Sequence, residues 1–138
     1  GDLPRAFRAP PDVSHRGPAG TVRYAVTVLR TGTCLGDRVG MARGFAERFR
    51  GLLGRSGLAE GEGLLLEGCA SIHTCFMRFP LDLCFLDASS RILKMVEALG
   101  PWRAAACPGA VHVLELPAGV LSLRQVRAGD SLEVRRCA

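Results

Sequence analysis

The chain has 138 residues, of which 48% are hydrophobic and 22% charged, with a formal net charge of +5. That length fits one domain, large enough to bury a core without disulfides or a metal. No run approaches the ~20 apolar residues that a membrane helix needs.

The basic excess is uneven. Residues 1–55 carry ten arginines against Asp2, Asp12, Asp37 and Glu47, whereas residues 56–138 are nearly balanced. A basic end invites nucleic acid or an anionic surface. Yet only Lys94 of the 18 basic residues is lysine, the arginines spread over several elements, and aromatic residues for base stacking are few. A genome-wide compositional bias accounts for this pattern better, so no nucleic-acid partner is expected. The six cysteines, Cys34, Cys69, Cys75, Cys84, Cys107 and Cys137, form no C-x-x-C pair. Several lie in apolar stretches where free cysteine behaves as a small hydrophobe. This favours reduced thiols and a cytoplasmic setting over a secreted disulfide framework. The start at Gly1 leaves room for a removed export signal.

Residues 1–20, rich in proline and glycine, read as a flexible leader. "TVRYAVTVLRTG" then alternates, with Val22, Tyr24, Val26 and Val28 on one face of a half-buried strand. "TCLGDRVGMA" reads as a second strand with a Gly-Asp turn. In "GFAERFRGLLG" the period changes: Phe45, Phe49, Leu52 and Leu53 share one face of a helix. Arg43 and Glu47 stand one turn apart on it, and Gly54 is a stop signal. "LAEGEG" is a loop and "LLLE" a short buried strand. "SIHTCFM" and "LDLCFLD" are two more strands, and "DASS" followed by "RILKMVEAL" makes a hairpin of 81–98. "GPWRAAACPGA" is irregular. "VHVLELP" is a strand, "AGVLSLRQV" a short apolar turn or helix, and "AGDSLEVR" a turn with a last strand. Many short strands with one clear helix imply an α+β fold, mainly β. The expected architecture is a compact, curled or barrel-like mixed sheet with one packed amphipathic helix and a short second helix, in one domain over 21–138.

Four blocks, "RGLLGRSGLAEGEGLLL", "HTCFMRFPLDLCFLD", "VLELPAG" and "AGDSLEV", resemble a prokaryotic family catalogued as domain of unknown function 192. The resemblance covers roughly residues 22–136. It rests on Arg50, Gly51 and Leu52, then Met77, Pro80, Leu81 and Asp82, then Leu114, Glu115 and Gly119, then Gly129 and Asp130. It implies a compact β fold with a packed helix and no particular biochemistry. Many members carry a longer segment between the methionine and the proline, where this chain has only Arg78 and Phe79.

The densest chemistry lies in residues 71–87. On a strand Ser71, His73, Cys75 and Met77 share a face, a soft set that suits copper(I) or zinc. Two neighbouring strand ligands are half a site at best, and Cys84, Cys107 and His112 bear no fixed relation to them. No metal and no cofactor are therefore expected. Cys75 or Cys69 beside His73 is a weak nucleophile–base pair, since such dyads are normally fixed by separate elements. Asp82 and Asp87 are five apart, on opposite strand faces, which argues against a shared acid–base site. Asp87 is read as a turn residue, and Gly129-Asp130 as a turn signal and nothing more. Asp82, inside an apolar strand, needs donors, and Arg55 or Arg78 is the expected bidentate partner. Glu115 in "VLEL" invites the same reading. The candidate site has His73, Thr74, Arg78 and Asp82 as the wall of a small pocket, completed by Arg55 and by Trp102-Arg103. The leading reading is a small binding or accessory domain taking a small anionic or polar ligand. Its rivals are a hydrolytic or thiol-dependent enzyme using His73 with Cys75 or Asp82, and a structural domain that docks a protein partner.

Overall fold

The computed structural model describes residues 22–43, 55–75 and 77–137. Among them run nine strands: β1 (Tyr24–Val28), β2 (Thr33–Arg43), β3 (Glu62–Glu67), β4 (Ser71–His73), β5 (Leu81–Leu86), β6 (Ile92–Leu99), β7 (Ala104–Ala106), β8 (His112–Pro117) and β9 (Leu132–Arg136). One short helix, α1 (Val120–Leu123), follows β8. The amphipathic helix expected at 44–54 lies outside the described residues.

Seven strands form one sheet in the order β6-β5-β8-β3-β2-β1-β9, and β4 with β7 forms a separate ribbon. Every pairing is antiparallel except β2 with β3. A parallel pair needs a crossover of a dozen or more residues, and the chain supplies one in residues 44–61. The sheet curls until its outer strands touch. Arg91 and Ser131 form an antiparallel bridge. Around it the Ile92 N–H donates to Asp130 O at 2.8 Å, Gly129 N–H to Ile92 O at 2.8 Å and Leu132 N–H to Ser90 O at 2.9 Å.

Curling gives the sheet two buried faces. The enclosed face carries Val26, Leu35, Val39, Leu65, Cys84, Leu114 and Leu116, closed over by Val120 and Leu121 of α1. The outer face carries Leu64, Leu66, Leu83, Phe85 and Val113, packed against Ile72 of β4 and against Met77 and Phe79. Both faces being covered, all six residues of β5 are buried, as its continuous apolar sequence requires.

Burial on both faces also corrects the first strand. Ala25, Val26, Thr27 and Val28 are all buried, so β1 is wet on neither face. Nor does the chain turn at Gly36-Asp37. Strand β2 runs through it and absorbs extra residues as two shifts of register against β1, a bulge that bends the strand. Gly36 is needed there because a Cβ would stand 2.9 Å from the carbonyl oxygen of Gly61. "SIHTCFM" shrinks to the three residues of β4, and "GPWRAAACPGA" contains β7, whose alanines are ordered by pairing with β4.

Candidate functional site

Two buried carboxylates, Asp82 and Asp130, are structural fasteners. Asp82 lies on the enclosed side of β5 and is fully buried. Its Oδ1 accepts from Ala98 N–H at 2.8 Å, and its Oδ2 from Gly119 and Leu121 N–H, both at 3.0 Å. Backbone amides, and not the expected Arg55 or Arg78, satisfy it. The physical reason is the turn into α1, which leaves N–H groups unpaired at its start and aims two of them at the carboxylate. Arg55 is engaged elsewhere, donating to Glu62 Oε1 at 2.7 Å and Gly57 O at 3.3 Å. Asp87 is the turn residue expected of it: its Oδ1 accepts from Ser89 and Arg91 N–H, both at 2.9 Å. Glu115 is fully buried between Leu64 and Leu83 in the register.

Asp130 is more than a turn signal. Arg30 grips it with Nε–Oδ1 at 2.7 Å and Nη2–Oδ2 at 3.1 Å, and Arg127 N–H adds a bond of 2.9 Å. The Arg30 guanidinium holds this carboxyl below its ordinary range, backed by the Arg127 amide and against the opposing effect of burial. Single-sequence reading misses the pair because its members stand a hundred residues apart.

Thr74 also has a structural role. It is fully buried and works as a hub between two segments. Its hydroxyl donates to Gly100 O at 2.6 Å and accepts from Arg103 N–H at 2.8 Å. Its own N–H donates to Arg103 O at 2.8 Å, and its carbonyl accepts from Met77 and Trp102 N–H, each at 3.1 Å. The 74–77 turn and the 100–103 loop are thus stapled together, while β4 continues the contact by setting His73 opposite Ala104.

Around this hub the exposed candidates gather. His73, Cys75, Arg78 and Arg103 are exposed. Trp102 is 64% exposed, and its backbone is left-handed, with φ 59°. Such a conformation is costly for a bulky residue. Arg78 and Arg103 have no carboxylate partner among the described residues, unlike Arg55. Of the seven site residues expected from sequence, the fold therefore groups His73, Trp102 and Arg103 about Thr74, with Arg78 just past its turn. It assigns Asp82 to the enclosed side of the sheet and Arg55 to Glu62.

The thiols divide by setting. Cys84 is fully buried, and burial, helped by the charge of Asp82, pushes its thiol up to about 12. It is a packing residue and no nucleophile. Among the described residues no group of three or more His, Cys, Asp and Glu side chains is placed to hold a metal ion. No helix among them is long and apolar enough to cross a membrane.

The family model for domain of unknown function 192, described as Uncharacterized ACR, matches residues 26–134. The chain belongs to this family. Among curated relatives, a UPF0127 protein of Thermococcus sibiricus is 33% identical over 101 residues, covering 70% of this chain and 65% of the relative. A UPF0127 protein of Pyrococcus furiosus is 34% identical over 68 residues, covering 49% of this chain and 58% of the relative. The chain thus spans less than two thirds of the length of either. Two solved structures share the fold. One, a protein of unknown function from Novosphingobium aromaticivorans, has a TM-score of 0.73 at 24% identity, covering 96% of this chain and 99% of its own. The other, from Sinorhizobium meliloti and described as a candidate transcription regulator, has a TM-score of 0.70 at 25% identity, covering 86% and 98%. Several positions that carried the family resemblance have structural roles in this chain. Asp82 and Gly119 anchor α1, and Gly129 and Asp130 join the sheet's outer strands.

Proposed function

We propose that this domain is a binding module that recognises a small anionic ligand at the surface formed by His73, Arg78, Trp102 and Arg103. One observation carries the reading: a tryptophan is held out into solvent, 64% exposed, on a left-handed backbone. Apolar exposure and backbone strain both oppose folding, and such strain persists where surroundings over-determine it. Thr74 supplies that determination. Two exposed guanidiniums, without carboxylate partners among the described residues, flank the hub, and a guanidinium gives a planar, two-pronged contact to carboxylate or phosphate. The enzyme reading that pairs His73 with Asp82 has less support, since both oxygens of Asp82 are committed to backbone amides.

Trp102 is the chain's one tryptophan, so its fluorescence reports on this surface alone. Titration with carboxylates and phosphates at constant ionic strength should change the emission in a saturable way. Arg103→Lys or Arg78→Lys should weaken the response by about tenfold. If no anion alters the emission beyond a general salt effect, ligand recognition fails, and the exposed Trp102 is then better read as an anchor for a protein partner.

A further inference from the structure

A bare anion would use only part of the surface around Thr74. Phosphate or acetate is satisfied by guanidiniums, and neither covers an indole. Yet Trp102 is held out at a cost, 64% exposed and on a backbone with φ 59°, a conformation strained for a bulky side chain. A flat ring sandwiched on both sides could not show so much of its area, so at least one face of the indole is open. The segment that carries it is well fastened. Trp102 N–H donates to Thr74 O at 3.1 Å, and the N–H of the next residue, Arg103, donates to the Thr74 hydroxyl at 2.8 Å. An aromatic platform and a guanidinium are therefore borne by consecutive residues of one anchored loop. Arg78, also exposed, brings a second positive charge from just past the 74–77 turn.

We infer that the anion recognised here carries a planar ring and is a nucleoside monophosphate, its base stacked on Trp102 and its phosphate held by Arg103 and Arg78. This rests on the anion-binding reading and narrows it. Charge selects the phosphate. A phosphomonoester carries about −1.5 to −2 at pH 7, which answers two arginines, whereas a carboxylate leaves one unmatched. Shape selects the ring, because every base offers a flat π-face to an aromatic side chain. The number of platforms selects a free nucleotide over a strand. Proteins that follow a single strand stack successive bases on several aromatic side chains, and Trp102 is the one large aromatic side chain exposed among the described residues.

The probes are adenosine monophosphate, ribose 5-phosphate, adenosine and phenylacetate, each titrated calorimetrically into the full chain at constant ionic strength. Adenosine monophosphate should bind about tenfold more tightly than any of the other three and should quench the Trp102 emission. Trp102→Ala should abolish the gap between adenosine monophosphate and ribose 5-phosphate. Trp102→Phe, which keeps a flat ring, should retain part of it. If ribose 5-phosphate binds as tightly as adenosine monophosphate to the native chain, the ring has no role, and the inference is overturned while the anion reading stands. It is equally overturned if phenylacetate matches the nucleotide, which would make the ligand an aromatic carboxylate, or if adenosine does, which would remove the arginines from recognition. If none of the four binds, the anion reading falls and this inference falls with it.

Discussion

Asp82 shows how one side chain can decide a local structure. Its two oxygens collect three amides from two separate segments, β6 and the start of α1. Hydrogen bonds to a buried charge are worth about 1.5–3 kcal/mol each, and a donor stranded in the interior costs its full desolvation. Asp82→Asn turns an amide NH2 toward donors, so it should cost about 3 kcal/mol or more in urea unfolding; a loss below 1 kcal/mol would mean that the amides find other acceptors. Cys84, two residues along the same face, carries a prediction of opposite sense. Its folded value of about 12 lies above the ordinary thiol value, so the folded state holds the proton more tightly. The resulting stability is fully present below pH ~8.5 and is lost as pH rises toward the folded value. Cys84→Ala should flatten the alkaline limb of the stability curve, and in the native protein Cys84 should be the slowest cysteine to react with a thiol reagent.

At the level of elements, strand content was readable wherever alternation or a continuous apolar run was strong, as in β5, β6 and β8. Reading failed where tertiary contact, not local preference, makes the element. Three alanines have little inclination to form a strand, and β7 exists because β4 lies beside it. The half-buried pattern read for β1 missed its second cover, since sequence cannot say that a sheet will curl back on itself. The candidate site shows the same division. His73, Arg78, Trp102 and Arg103 were read as parts of one polar pocket; that all four are exposed could not be read from the sequence. Thr74, also singled out, has a role invisible in one dimension, because its partners are about 26 to 29 residues away. Thr74→Val keeps the shape and removes the hydroxyl, leaving the Gly100 carbonyl and the Arg103 amide short of a partner. The cost should be about 1–3 kcal/mol, and any anion response at Trp102 should fall with it, because the 100–103 loop loses its fastening. A stability loss with an unaltered response would separate the hub from recognition.

The whole molecule depends on where its sheet closes. A seven-stranded sheet with open edges offers unpaired backbone to other chains, and this one brings its two outer strands together at the 129–132 turn. That turn is held by Asp130, which Arg30 binds from the end of β1, so a single ion pair ties β1 to the junction of β6 and β9. Arg30 is itself well exposed, and an isolated surface pair contributes little. What distinguishes this one is the burial of Asp130 and the backbone amide of Arg127 that shares its oxygen. The carboxyl titrates below its ordinary range in the folded state. Its contribution is therefore present above the unfolded carboxylate value, about 3.9, and is lost as pH falls through the lower folded value. Asp130→Asn should lower the melting temperature at pH 7 by about 5 °C and make the acid limb of the stability curve shallower. Arg30→Gln should do both to a smaller degree, because the Arg127 amide remains on Asp130. Hydrogen exchange should show the loss at Ile92, Gly129 and Leu132, the amides that join the edges, before it appears in the central strands β3 and β8. If protection falls evenly across the sheet instead, the pair stabilises the domain as a whole and the closure has no separate opening.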